Sequence, residues 1–248
     1  MITQPQATTP LPDPDEERRR VQTARLLAYR DDGPLATALK GSLGRLLPPV
    51  PATVVALIAI VALTVAGTLT DGPILIVPVA VLLVLVLPTA GRDHLGRFDW
   101  LTPPLLRAAE FMTIIVLGLA EDTPKWLLFV LLYTIGYHTY DTVYRTRQGI
   151  WPPAWLYQAG LGWEVRLLVL GVAAAAGWLT PVAAVLTAYL LVLFAIESIT
   201  SWVRLDKASA QAQADQDLEQ SPEEAAEPLA MVSRRWRSAV APSPLRSA

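Results

Sequence analysis

WLLFVLLYTIG at Trp126–Gly136 runs directly into YHTYDTVYRTR at Tyr137–Arg147, and this join decides the fold. An unbroken apolar run leads into a stretch whose ionisable residues recur at helical spacing. His138, Asp141 and Arg145, at i, i+3 and i+7, fall on one stripe of a helix, with Tyr137, Tyr140 and Tyr144 on the stripe beside it. A helix apolar at one end and charged at the other reads as a membrane helix reaching an aqueous boundary. Its terminal charges are a candidate site.

Working outward, the same pattern fills the middle of the chain. Of 248 residues 53% are hydrophobic and 17% charged; the mean hydropathy of +0.40 is modest because polar ends dilute a very apolar centre. Six apolar segments, at about 50–70, 73–90, 103–120, 125–143, 163–180 and 182–203, approach the length needed to cross a hydrocarbon core of roughly 30 Å. Asp71-Gly72-Pro73, Glu121-Asp122-Thr123-Pro124 and Thr180-Pro181 punctuate them as tight hairpin connections. The expectation is an all-α, polytopic membrane protein with a six-transmembrane-helix bundle at 48–204. With the N-terminus inside, every basic residue except Lys125 lies on the cytosolic side or at its edge, so both termini are expected to be cytosolic. A multi-pass protein of a bacterial inner membrane is the expected setting.

The flanks read differently. Residues 1–32, with several prolines and the charge block Asp13–Arg20, lack the apolar core of a signal peptide and are expected to be a disordered tail. Residues 33–47 form a candidate interfacial amphipathic helix, with Leu35, Leu39, Leu43 and Leu46 on one face, or a lead-in broken by Gly41 and Gly44. Residues 205–248 are expected to be a second disordered cytosolic tail, acidic at first and ending in Arg234, Arg235 and Arg237 around Trp236.

Several chemistries are excluded at once. The absence of cysteine removes disulfides, thiolate nucleophiles and thiolate metal sites, and two histidines, His94 and His138, cannot make a histidine-rich metal centre. A net charge of -2 carries no signal for nucleic acid. What remains lies at the cytosolic face. GRDHLGRFDW contributes Arg92, Asp93, His94, Arg97 and Asp99, with Thr102 and Pro103 as a cap and first-turn pair. Arg107 and Glu110 follow on one face of the third segment, one to two turns inside it. The fourth segment supplies His138, Asp141 and Arg145, the fifth opens with Trp163, Glu164 and Arg166, and Glu197 stands near the end of the sixth.

Two readings of these residues stay open. In one, Arg107, Arg145 and Arg166 converge on a phosphate or lipid headgroup, which planar guanidinium groups suit. Asp99, Glu110, His138, Asp141, Glu164 and Glu197 are then the acids and imidazole that orient the arginines, or that hold a divalent cation such as Mg. In the other, arginines and carboxylates satisfy one another and lock helices together. Gly171 and Ala175 have small-xxx-small spacing, which serves close packing either inside the bundle or between two copies in a homodimer.

FDWLTPPLLRAAE, YHTYDTVYR, GWEVRLLVL and AIESITSW, within Asp93–Trp202, resemble an uncharacterised bacterial integral-membrane domain family, a domain of unknown function. That domain is often fused to, or found beside, CDP-alcohol phosphatidyltransferases and nucleotidyltransferase-like domains. The resemblance implies a setting in phospholipid or polyprenyl-phosphate metabolism, with membrane lipids and such a transferase as partners. The Asp-Gly-x2-Ala-Arg and Gly-x3-Asp-x3-Asp signature of the transferases themselves is missing: Asp32-Gly33 and Asp71-Gly72 lead into Pro34 and Pro73. The leading expectation is therefore an accessory or divergent phosphotransferase-like module with an anionic-lipid or phosphate site. The alternatives are a proton- or cation-coupled transporter using Glu110, Asp141 and Glu197, and a non-catalytic membrane scaffold.

Overall fold

The structure is a computed structural model that describes residues 13–43 and 45–239, with side chains as far as Gln216. Among the described residues the regular elements are all helical: α1 (Pro14–Arg30), α2 (Pro34–Leu39), α3 (Pro49–Val65), α4 (Val77–Val86), α5 (Thr102–Ala120), α6 (Lys125–Arg147), α7 (Ala154–Ala159), α8 (Gly162–Ala175) and α9 (Leu179–Ala239). Short 3-10 helices lie at Gly72–Ile76, Leu87–Thr89 and Asp99–Leu101. A proline occupies the first or second position of each of α1 to α5, where its missing N–H leaves no intrahelical bond unmade.

By length and composition, three stretches are able to cross a membrane: Gly72–Thr89, Asp99–Ala120 and Leu179–Gln216; Pro49–Val65 is a shorter apolar helix. This marks a helical membrane protein. Each of the six apolar segments is helical, but six crossings do not follow from helix lengths alone. α8 has 14 residues, about 21 Å at the usual rise. α6 is long enough at 23 residues, but devotes part of its length to buried His138, Asp141 and Arg145.

The chain divides into two units, Met1–Ala195 and Ile196–Ala248. In the first, α3 packs on α4 and α5, α8 packs on α5 and on the 3-10 helix at Gly72–Ile76, α1 lies against α5 and α6, and α2 against α8. Ile60, Leu75, Val79, Leu82, Leu117, Leu131, Leu167 and Leu190 are fully enclosed at its centre. Gly171 faces Val79 and Ile76 so closely that a Cβ there would come within 2.7 Å of Val79 Cγ2, so the small-residue face of α8 serves packing within the protein. The second unit is helical as far as Ala239, and its side chains are exposed from Asp206 to Gln216.

Three expectations about the flanks need correction. Residues 14–30, taken as part of a disordered tail, form α1. Asp13 caps it by accepting from the Asp15 N–H at 3.0 Å, acids fill its first turn, and Arg30 stands in its last. The expectation failed because α1 is held by polar contacts as much as by its short apolar face of Leu26 and Ala28. Residues 1–12 lie outside the described residues. In 33–47 the helix stops at Leu39; Leu35 and Leu39 pack on the core, whereas Leu43 and Leu46 are exposed. Gly44 lies outside the described residues. In 205–248 the helix continues to Ala239; its Ala- and Gln-rich stretch at 208–216 extends a helix already nucleated in α9 without a new nucleation cost. Residues 240–248 again lie outside the described residues. Thr102 likewise is the first residue of α5 rather than its cap, since the 3-10 turn at Asp99–Leu101 runs directly into it.

Candidate functional site: a buried charge centre

The site begins where α1 ends. Asp31 takes a left-handed backbone conformation (φ 55°), its N–H bonding back to the Ala28 carbonyl. Aspartate tolerates this region better than most residues. The turn carries Arg30, Asp31 and Asp32 inward between helices, and Gly33 follows them into α2. A methyl group on Gly33 would lie 2.4 Å from the Leu161 carbonyl oxygen; one on Gly162, where φ is +60°, would lie 2.2 Å from the Gly33 nitrogen. The two backbones touch, and only residues without Cβ permit it.

Asp31 then meets the charges of three helices. Its Oδ2 accepts from Arg166 Nη2 of α8 at 2.7 Å and from Arg107 Nη2 of α5 at 3.5 Å, and its Oδ1 lies 3.9 Å from His138 Nε2 of α6. Glu110 of α5 accepts from Arg166 Nε at 3.0 Å and is paired with Arg107. Arg166 completes its set by donating to the Gly160 carbonyl at 3.0 Å. Burial opposes ionisation of Asp31, but Arg166, His138 and Arg107 outweigh it and hold its carboxyl below the usual carboxylate range. Two guanidinium groups and two carboxylates, nearly all enclosed, balance one another. His138 stacks flat on Phe194, with centroids 3.8 Å apart and planes 5° from parallel.

A second layer fixes this one. Arg30 is fully buried: Nε bonds Asp32 at 3.0 and 3.2 Å, and Nη1 donates to Thr89 Oγ1 at 2.9 Å and to His94 Nε2 at 3.3 Å. Trp163 Nε1 donates to Asp32 at 2.9 Å. Glu164 reaches from α8 to accept the Ala36 N–H at 3.0 Å, and so caps α2 from another helix. Since arginine is always a donor, the Arg30 contact makes His94 Nε2 an acceptor and selects the neutral ring with its proton on Nδ1.

Burial, reinforced by Arg30, lowers the His94 pKa to about 4; Asp32 and Asp99 oppose the shift without cancelling it. An unfolded histidine protonates below pH ~6.5, whereas this one stays neutral to about 4. Stability is therefore expected to fall as pH drops through that window. Thermal unfolding of His94→Gln against the natural chain, from pH 7 to pH 4, checks this: the variant should lose less of its melting temperature over the interval.

Of the residues singled out by the sequence, Arg107, Arg166, Glu110 and His138 come together. Arg145 does not join them: its Nη2 pairs with Asp141 of the same helix at 2.9 Å, and it stands seven residues, about 10 Å, along α6 from His138. Asp99 binds the Gly96 N–H at 2.9 Å in a surface loop. Glu197, in the second unit, accepts from Ser201 at 2.9 Å. Among the described residues no group of three or more carboxylates or histidines could hold a metal ion. Arg30, Asp31, Asp32, Thr89 and Gly33 were missed. For all but Thr89 the signal was the run Arg30-Asp31-Asp32-Gly33-Pro34, dense in charge and followed at once by the apolar Leu35-Ala36.

A family model described as a family of unknown function (DUF5941) matches residues 20–219. No curated protein and no solved structure matches the chain.

Proposed function

Because the chain belongs to this family of unknown function, whose match takes in the whole buried charge centre and all the apolar helices, we propose one function for that ensemble. It is a six-span membrane protein with cytosolic termini that binds phosphate-bearing lipid as an accessory module of phospholipid or polyprenyl-phosphate metabolism. Its catalytic partner would be an enzyme of the CDP-alcohol phosphatidyltransferase type. Six crossings are supported by the six helices and by hairpin turns such as Asp122, whose φ of 48° closes the α5–α6 connection.

The observation that carries the reading is sidedness. Arg30, Asp31, Asp141, Arg145, Glu164 and Arg166 are buried toward the helix ends that the distribution of basic residues favours as cytosolic, and Glu110 and His138, buried near the middle of α5 and α6, join the Asp31 and Arg166 cluster from there. The opposite turns, around Asp71, Asp122 and Gly177, hold no buried ionisable group among the described residues. A neutral, interlocked charge centre favours a binding platform over a catalyst, since its arginines and carboxylates already engage one another. It also disfavours a proton path through Glu110, which two arginines hold.

The test is native mass spectrometry of the protein released gently from its membrane. A retained anionic phospholipid, CDP-lipid or polyprenyl phosphate is expected. A bare chain, or one carrying neutral lipid alone, would overturn the reading.

A further inference from the structure

The arginines named from sequence are neutralised, so a phosphate needs other cations. A cavity of about 720 Å³ lies between α1 and the end of α6, and Arg18, Arg25 and Arg147 line it. We propose that this cavity is the phosphate site, taking the phosphate of a lipid headgroup against Arg25 and Arg147. The inference rests on the lipid-binding reading above and deepens it.

Four observations converge. First, Arg25 and Arg147 both line the cavity and form no ion pair among the described residues, so their charges stand unmatched beside it, and the guanidinium groups that reach the cavity suit a phosphate oxygen. Second, Arg18 adds a third positive charge, held weakly to Asp15 at 3.5 Å with both side chains exposed. Among the described residues Glu17 is the one acid on the wall, against three arginines.

Third, the wall is mixed: Val21, Leu26 and Tyr29 supply apolar surface beside the arginines, as the glycerol and first methylenes of a lipid require and free phosphate does not. Fourth, depth agrees. Tyr137, Tyr140 and Tyr144 are exposed along the outer face of α6, with Tyr140 and Tyr144 stacked at 6.2 Å. Exposed tyrosines mark the headgroup level, and Arg147 lies one turn beyond Tyr144. Anionic cytosolic lipid would meet the cavity there.

The experiment uses the full chain in detergent, titrated separately with dihexanoyl phosphatidic acid, dihexanoyl glycerol and inorganic phosphate, by calorimetry. Arg25→Gln/Arg147→Gln is compared with Arg97→Gln, which changes an exposed arginine on another loop. Thermal unfolding confirms that each variant is folded. If the double variant is not, Arg147→Gln alone serves, since Arg147 is exposed. Phosphatidic acid is expected to bind the natural chain, to bind the double variant at least tenfold more weakly, and to bind Arg97→Gln unchanged. Weaker binding of inorganic phosphate identifies the lipid as the source, and equal binding identifies free phosphate in the same site. Undiminished binding to the double variant overturns this assignment while leaving the lipid-binding reading standing. No binding of phosphatidic acid to the natural chain overturns this assignment, as does binding of dihexanoyl glycerol equal to that of phosphatidic acid, while the lipid-binding reading itself falls only if native mass spectrometry retains no anionic lipid.

Discussion

Asp31→Asn is expected to cost about 3–5 kcal/mol of stability, the range for removing one partner from a buried ion pair. The amide keeps the shape of the carboxylate but not its charge, so Arg107 and Arg166 are left facing Glu110 alone, with Arg166 fully enclosed. Denaturant unfolding in detergent measures the loss. Arg107→Gln in the same chain restores the balance of one cation to one anion and should recover part of it. If Asp31→Asn alone falls within about 0.5 kcal/mol of the natural chain, as an ordinary surface change would, the centre does not hold the fold in the way described.

Gly162→Ala is expected to be nearly as damaging, for a steric reason. The new methyl would stand 2.2 Å from Gly33 N and 2.4 Å from Gly33 Cα, and both are backbone atoms that cannot swing aside. Overpacking costs about 1–3 kcal/mol, and a left-handed backbone adds roughly 1–2 kcal/mol for a residue with Cβ. The chain should relieve the clash by withdrawing the Arg30–Gly33 turn, which frees α1. Limited trypsin digestion reads this directly, through faster cleavage at Arg25 and Arg30, where the natural protein protects Arg30 by complete burial. Gly41→Ala is the control, because its Cβ position is open, and it should leave the digestion pattern unchanged.

These two residues also show where sequence reading stops. The six apolar segments were legible because hydrophobic runs of that length have few other uses, and the turns at Asp71–Pro73 and Glu121–Pro124 bounded them. Arg107 and Glu110 were legible as a pair because i, i+3 spacing places them on one face. Their partner Asp31 was not. It lies 76 residues from Arg107, in a segment whose polarity resembles a tail, and only the fold shows that its charges are matched one for one. Gly33 and Gly162 carry the same lesson. A glycine is unremarkable until the backbone it touches, here that of a distant helix, is in place. Arg145 shows the reverse error: residue type suggested convergence with Arg107 and Arg166, but Asp141 one turn away on α6 engages it.

The proposed lipid-binding role requires that the charged ends of the helices share one side of the membrane. The absence of cysteine makes this directly measurable, since single cysteines can be introduced into the chain without removing any. Asp71→Cys and Ala176→Cys, at exposed turns on one side, and Ser42→Cys and Gln148→Cys, at exposed positions on the other, are labelled in intact cells with a membrane-impermeant maleimide. The first two are expected to react from outside, whereas the second two react only after the membrane is permeabilised. Labelling of Gln148→Cys from outside, or of Asp71→Cys and Gln148→Cys from the same side, would contradict it.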